Sequence, residues 1–218
     1  MIDLHTHTIF SDGELIPSEL TRRAAVAGYR VIGLTDHGDR SNMDLIIPRL
    51  VRVAEDLGKA WGITVLPGIE LTHIPPAEIA AAACEARTLG ARLVLCHGET
   101  LSEPVAEGTN RAALEGDIDI LAHPGLISEE EVRLAVRRNI CLELTTRAGH
   151  SLSNGHVARL ATACGASLVL NTDSHAPGDL TPLPQARRIA LGAGLTEAQF
   201  EQCRENSEKL VTRLLQRV

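Results

Sequence analysis

Residues 92–123, RLVLCHGETLSEPVAEGTNRAALEGDIDILAH, contain the pattern that decides the fold. Two short apolar runs, RLVLC and IDILA, flank a segment with helical periodicity, PVAEGTNRAALEG. Runs with so little polar alternation are typical of strands buried on both faces. His97 directly follows the first run and His123 directly follows the second. The stretch therefore predicts two parallel strands joined by a helix, with a histidine at the carboxyl end of each strand.

The same unit recurs along the chain. Five further apolar runs resemble the first two: MIDL, VIGLT, ITVLPGI, ICLEL and SLVLNT. The segments between the runs have helical periodicity, and several reach a glycine where we expect the helix to end: Gly28, Gly58, Gly90, Gly116 and Gly165. Two more helices are predicted over about 181–192 and 196–216. This alternation predicts a parallel sheet, either open and doubly wound or closed into a barrel.

Polar residues after the strands distinguish the barrel from the open sheet. Each of the seven runs carries or is followed by ionisable side chains: His5, His7 and Asp12; Asp36 and His37; Glu70; His97; His123; Glu143 and Arg147; Asp173 and His175. An open sheet gathers its ligand at one switch point, whereas a barrel brings every strand end to a single mouth. The sequence therefore predicts an α/β, TIM-like (βα)7 barrel. We expect one domain over 1–218, with the barrel over about 1–192 and a C-terminal helix over about 196–216.

Composition narrows the function classes. The 218 residues are 44% hydrophobic and 22% charged, which excludes disordered and fibrous proteins. A net charge of -7 and an aromatic content of 2% disfavour nucleic acid as a partner. MIDLHTHTIF does not resemble a secretory signal, and no apolar stretch has the length of about 18 residues that a membrane span needs. Five scattered cysteines without CxxC spacing predict reduced thiols, and hence a cytoplasmic protein.

The histidines and acids at the strand ends predict a metal centre. Imidazole and carboxylate are ligands that Zn, Mn and Fe ions all accept. His5 and His7 are two residues apart on an extended strand, so their side chains project to the same side. Asp173 and His175 repeat this spacing after the last strand. The two pairs are expected to face each other where the first and last strands close the barrel.

Five motifs resemble one known family. HTHTIFSDG, LTDH, PGIE, LAHPG and TDSH are similar in order and spacing to motifs of the polymerase and histidinol phosphatase (PHP) family, over about residues 2–175. The resemblance implies a distorted (βα)7 barrel and a cluster of two or three divalent metal ions (Zn, Mn or Fe). It also implies a cytoplasmic metal-dependent phosphoesterase, a hydrolase that acts on phosphoric ester bonds through metal-bound hydroxide.

The resemblance also implies the ligands. One ion is held by His5, His7, Glu70 and Asp173, and Glu70 bridges to a second ion held by His97 and His123. The third site uses Asp12, His37 and His175. Glu70, Asp173 and His175 are also the predicted catalytic residues. His73 lies three residues after Glu70 and competes with His97 as a ligand, but His97 is preferred because it ends a strand.

The expected substrate is a small phosphate ester, such as a histidinol phosphate-like compound, a nucleotide or a sugar phosphate. Arg147 follows the sixth strand and is predicted to bind the phosphate through its planar guanidinium group. Three alternatives stay open: a nuclease that degrades oligonucleotides, an amidohydrolase-like hydrolase, and a metal-stabilised scaffold without activity. Two-metal amidohydrolases commonly bridge their ions with a carboxylated lysine, for which neither Lys59 nor Lys209 is well placed. The sequence does not indicate whether the protein is a monomer or an oligomer.

Overall fold

The computed structural model describes residues 1–217, in which strands and helices alternate. The strands are β1 (Ile2–Asp3), β2 (Val31–Leu34), β3 (His37–Gly38), β4 (Thr64–Leu71), β5 (Leu93–His97), β6 (Ile120–Ala122), β7 (Cys141–Thr145) and β8 (Leu168–Asn171). The helices are α1 (Pro17–Val26), α2 (Met43–Trp61), α3 (Ile79–Thr88), α4 (Thr109–Glu115), α5 (Glu129–Arg138), α6 (Asn154–Cys164), α7 (Leu183–Gly192) and α8 (Glu197–Gln216). Each of the seven predicted apolar runs overlaps a strand.

The strands form one parallel sheet in the order β1-β2-β4-β5-β6-β7-β8. The short β3 continues the line of β2 and pairs with the end of β4. The sheet nearly closes between β8 and β1, where Thr6 and Ser174 form an isolated parallel bridge. Beside it, Leu4 N donates to Asn171 Oδ1 at 2.9 Å. The predicted (βα)7 barrel is confirmed, and side-chain hydrogen bonds supplement the backbone pairing at its closure.

Alternation along the strands separates the two faces of the barrel. Residues that point outward pack under the helices, while those that point inward form a second cluster with helix α8: Leu4, Val31, Leu66, Leu93, Leu95, Ile120, Ala122, Cys141, Val169, Leu210, Val211 and Leu214. Side chains two residues apart on a strand share a face. Glu70, His97 and Glu143 therefore lie on the inner face, above apolar residues of the same strands. The interior is apolar at the end closed by α8 and polar at the mouth.

Two predicted helix boundaries were wrong. Gly58 does not end α2, which continues to Trp61 and ends at Gly62, whose φ of 65° is left-handed. The segment PVAEGTNRAALEG forms a helix only from Thr109. Gly108 has a left-handed φ of 88°, so the helix does not extend to the residues before it. Residues before Gly108 instead form a loop between β5 and α4. Within residues 1–217, no helix is both long and apolar enough to cross a membrane.

Helix α8 closes one end of the barrel, and two neighbouring leucines test how much it stabilises the fold. Leu214 is fully buried in the barrel interior, whereas Leu215 is 50% exposed. We expect Leu214→Ala to lower the free energy of unfolding by about 2–5 kcal/mol, because it leaves a cavity in the core. Leu215→Ala is the control and should change it by less than about 0.5 kcal/mol. Urea denaturation measures both, and equal small effects would show that α8 does not stabilise the barrel.

Candidate metal centre

The mouth of the barrel gathers the predicted ligands. Each belongs to a group of at least three histidine or carboxylate side chains whose ligand atoms lie within 4.8 Å of one another: His5, His7, Asp12, His37, Glu70, His97, His123, Asp173 and His175. They come from the carboxyl ends of the strands and the loops that follow them. The barrel closure thus brings together residues up to 170 positions apart in the sequence, from His5 to His175.

The deepest group contains His5, His7, Glu70 and Asp173, all almost fully buried. His5 Nε2 lies 3.3 Å from Glu70 Oε2 and 3.6 Å from Asp173 Oδ1. His7 Nε2 lies 3.7 Å and 3.2 Å from the same two oxygens. Ligands of a tetrahedral zinc ion are separated by about 3.3–3.6 Å, given zinc–ligand distances near 2.0–2.2 Å. These spacings suit ligands that share a small cation.

A second group lies nearer to solvent. Asp12 Oδ1 is 3.2 Å from His175 Nε2, 3.5 Å from His37 Nε2 and 4.0 Å from His7 Nδ1. The Asp12 side chain is 56% exposed, whereas His7 is buried. This group contains the three residues predicted for the third site, and His7 joins it to the deepest group.

The remaining predicted ligands, His97 and His123, have their ring centroids 4.5 Å apart. His123 Nε2 lies 3.6 Å from Glu70 Oε1, the carboxylate oxygen that does not face His5. Glu70 therefore presents one oxygen to the deepest group and the other to His123, as a bridging carboxylate requires. His97 meets a different carboxylate, because its Nε2 lies 3.2 Å from Glu103 Oε2.

Buried polar residues hold this arrangement in place. Glu143 Oε1 accepts a hydrogen bond from Asn171 at 2.8 Å and lies 2.9 Å from His5 Nδ1, and its Oε2 accepts from the backbone N–H of His123 at 3.1 Å. Such a carboxylate orients a ligating imidazole and fixes its tautomer. Asp36 accepts from Thr8 N at 2.7 Å and from Ser11 Oγ at 2.9 Å. It thereby shapes the loop that carries Asp12.

Unpaired polar atoms show that the site fits cations. In residues 1–217, seven buried side-chain polar atoms lack a hydrogen-bond partner, and six of these belong to His5, His7, Glu70 and His123. An unsatisfied buried polar group costs about 1–3 kcal/mol. Their concentration in one place, together with imidazole and carboxylate chemistry, matches what Zn, Mn or Fe ions accept. The donor set therefore fits the predicted ions.

The electrostatics of the site divide its histidines into two kinds. Burial and the neighbouring rings of His37 and His5 hold the pKa of His7 well below its usual range. Burial and His97 do the same to the pKa of His123. Metal ligation requires neutral imidazole, so these two rings are ready to bind. Burial opposes protonation of His37 as well, yet Asp12 and Glu70 raise its pKa to about 10.

The two buried carboxylates, Asp173 and Glu70, differ in the direction of their pKa shifts. Burial raises the pKa of Asp173 to about 7, although the His5 ring opposes this change. Burial also disfavours the charged form of Glu70, but His5 and His37 hold its pKa well below the usual range. Protonated histidines thus neutralise Glu70 in the absence of a cation, while the negative charge of Asp173 is not fully balanced.

Sequence reasoning gave no ligand role to three residues of the mouth. Glu143 was visible as an acid inside an apolar run. His150 is buried, with Nδ1 2.8 Å from Thr100 Oγ1 and Nε2 3.3 Å from Glu103 Oε1. Glu103 lies in the middle of the β5–α4 loop, which had been predicted to be partly helical, so no strand-end pattern indicated it. His73, the alternative ligand, is half exposed and lies 3.2 Å from the same glutamate.

Arg147 lies at the edge of the mouth. Its Nη1 donates to the backbone carbonyl of Asp173 at 3.1 Å and lies 2.7 Å from His175 Nδ1, and its Nε is 3.7 Å from Asp173 Oδ2. The side chain is 31% exposed and lines a pocket with Thr146 and Thr181. The guanidinium group is thus next to the predicted ligands and accessible from solvent.

Comparison with known proteins identifies the family. A PHP domain model matches residues 3–161. An uncharacterized protein of Methanocaldococcus jannaschii is 49% identical over 201 residues, which cover 91% of this chain and 92% of that protein. A probable phosphatase of Clostridium novyi is 25% identical over 198 residues, which cover 80% of this chain and 79% of that protein. The chain belongs to the PHP family. This membership confirms the prediction of a hydrolase that acts on phosphoric ester bonds.

A solved structure supports the fold. The histidinol phosphate phosphatase of Lactococcus lactis, in complex with zinc, L-histidinol and phosphate, superposes with a TM-score of 0.59 at 18% identity. The match covers 89% of this chain and 94% of that protein. At this identity the likeness concerns the barrel alone.

Metal removal tests the site. We expect the purified protein to hold at least two equivalents of Zn, Mn or Fe, and a chelator to lower its Tm. A ligand at 1,000 times its Kd stabilises a native protein by about 4 kcal/mol, which corresponds to roughly 10 °C for a domain of this size. In Glu70→Gln the chelator should have a smaller effect, because the bridging carboxylate is missing. Calorimetry measures the Tm and elemental analysis measures the metal content. A wild-type Tm that stays unchanged when the chelator is added would contradict the assignment of a metal centre.

Proposed function

We propose that this protein is a metal-dependent phosphoesterase that hydrolyses a small phosphate ester in the cytoplasm. The observation that carries the proposal is the convergence of unpaired imidazole and carboxylate atoms around Glu70 at the barrel mouth. Divalent cations bound there would lower the pKa of water and neutralise charge on a phosphoryl group. Metals that fit are Zn, Mn and Fe, in two or three sites. All five cysteines are free thiols, which supports the location.

The chain's own residues prepare the site for this reaction. Glu143 fixes the orientation of His5, and the outer position of Asp12 leaves one side of the mouth open to solvent. Glu70 connects the deepest group with His123 through its two oxygens. We propose Glu70, Asp173 and His175 as catalytic residues because they link the deepest group of predicted ligands to the group nearer to solvent. Glu70 Oε2 lies 3.0 Å from His37 Nδ1, and Asp173 Oδ1 lies 3.5 Å from His175 Nδ1. No serine or cysteine nucleophile is required in this arrangement.

The surroundings of the mouth support a small organic phosphate as substrate. Loops that follow the carboxyl ends of the strands carry exposed apolar side chains, which suit the organic part of an ester: Ile9, Leu101, Leu126 and Leu152. The β5–α4 loop also contains Glu99, Glu103 and Glu107. Acidic side chains near the entrance repel a long polyanion, so an oligonucleotide is a less suitable substrate.

An activity screen tests the proposal. We expect phosphate release from phosphomonoesters, nucleotides or sugar phosphates when each metal is added back to the protein. Glu70→Gln should lower kcat/KM by at least about 100-fold, the upper end of the loss in activity when an outer partner of a metal ligand is removed. Glu55→Gln, an exposed change on α2, is the control and should retain activity. Faster turnover of single-stranded DNA or of an amide would favour the nuclease or the amidohydrolase instead.

The role of Arg147 in binding phosphate makes a separate prediction. We expect Arg147→Ala to lower kcat/KM for the preferred phosphomonoester by about 10- to 150-fold, since a hydrogen bond to a charged group contributes about 1.5–3 kcal/mol. Arg147→Lys should recover part of the loss, because lysine keeps the charge but not the planar guanidinium group. Arg52→Ala, on the exposed face of α2, removes an equal charge as a control. Unchanged steady-state kinetics in Arg147→Ala would exclude this arginine from the site.

A further inference from the structure

Glu103 lies at the meeting point of three histidines that belong to different loops and strands. Its Oε2 is 3.2 Å from His97 Nε2 and 3.2 Å from His73 Nε2, and its Oε1 is 3.3 Å from His150 Nε2. His73, His97 and Glu103 form a group with ligand atoms within 4.8 Å of one another. An exposed loop glutamate ordinarily points into solvent, so this position requires an explanation.

The protonation of His97 identifies the atom that is free to bind. His97 Nδ1 lies 3.0 Å from the carbonyl oxygen of Gly98. A carbonyl oxygen can only accept, so Nδ1 carries a proton, and in the neutral ring that metal ligation requires, Nε2 has the lone pair. The lone pair of Nε2 therefore points toward Glu103 Oε2, which also has only lone pairs when ionised. Two acceptors that face each other at 3.2 Å need either a proton or a cation between them.

The spacing is compatible with a cation, and the set of side chains is one that binds zinc. Two ligands of a tetrahedral ion, each about 2.0–2.2 Å from the metal, are about 3.3–3.6 Å apart. Both distances from Glu103 Oε2 to the histidine nitrogens, 3.2 Å, lie close to the lower end of this range. Two histidines and one glutamate are also an established ligand set of catalytic zinc sites. Within residues 1–217, Glu103 supplies the carboxylate oxygen that lies within 4 Å of the His97 ring nitrogens.

We propose that Glu103 is the carboxylate ligand of the divalent cation that His97 holds, with His73 as a further ligand of that ion. The inference rests on the proposed metal centre and adds a residue to it. His73 and His97 are then not competing ligands, because both bind the same cation together with Glu103.

His150 positions Glu103 in this arrangement. Thr100 Oγ1 lies 2.8 Å from His150 Nδ1, and a hydroxyl that donates there leaves the proton of the ring on Nε2. The Nε2 atom of this ring lies 3.3 Å from Glu103 Oε1, while Oε2 faces His97 and His73. A polar contact of this kind orients a metal-binding carboxylate. His150 is buried, so it can restrain a loop whose glutamate is 39% exposed.

Zinc titration of two matched variants tests the proposal. Glu103→Gln removes the charge and one ligand oxygen, and Glu107→Gln removes an equal charge four residues further along the same exposed loop. Within residues 1–217, no ion pair involves the Glu107 carboxylate. Each purified protein is dialysed with Zn²⁺ against chelators of increasing strength, and bound zinc is measured by elemental analysis. Unfolding curves of the zinc-free forms check that the variants are folded.

We expect one zinc equivalent of Glu103→Gln to bind at least about tenfold more weakly than in the wild type, because even the loss of an outer partner costs about 10- to 100-fold in affinity. Glu107→Gln should match the wild type, and Glu103→Asp should recover part of the lost affinity. Zinc binding of Glu103→Gln that equals that of the wild type would overturn this inference alone. A changed KM with unchanged zinc binding would also overturn it, and would make Glu103 a substrate contact. A wild type that binds no zinc would overturn the metal centre itself.

Discussion

The barrel mouth is organised by the cost of burying charge. Glu70 and Asp173 both lie beside His5 and His123, in a region that solvent hardly reaches. Protonated His5 and His37 can neutralise one carboxylate, but burial still raises the pKa of Asp173 to about 7. A divalent cation bound between them would remove this conflict, since it would balance both carboxylates while the histidines serve as neutral ligands. The positions of the predicted ligands and of the buried residues that orient them agree with this requirement.

The backbone is strained at two of the predicted ligands. His123 and Asp173 have φ values of 27° and 53°, in the left-handed region that residues with a side chain rarely adopt. Such conformations cost about 1–3 kcal/mol each and persist where the surrounding structure imposes them. The hydrogen bond from His123 N to buried Glu143 is one such constraint. Nearby, a side chain at Gly98 would lie 2.3 Å from the carbonyl oxygen of Ala122, so this tight turn requires glycine.

Most of the fold and the location of the site could be predicted because both depend on local sequence patterns. An apolar run such as RLVLC specifies a buried strand, and a parallel barrel places the residue after each strand at one mouth. Helix ends were less predictable. Gly58 remains inside α2 because the helix can continue to Gly62, whereas Ser128 begins α5 with a capping box to Glu131. The capping box is a local sequence signal, whereas the end of α2 at Gly62 depends on tertiary packing, which overrides the preference of a single residue.

Glu103 shows where sequence patterns stop being informative. The location of Glu70 could be predicted, since its position near the end of β4 determines that it faces the barrel interior and lies at the mouth. Glu103 lies on a loop without regular periodicity, and its neighbours Glu99 and Glu107 have the same chemistry. Only the folded chain distinguishes them, because Glu99 caps the backbone N–H of Asn110 while Glu103 meets the histidines. A strand and an exposed loop thus supply carboxylates to one mouth.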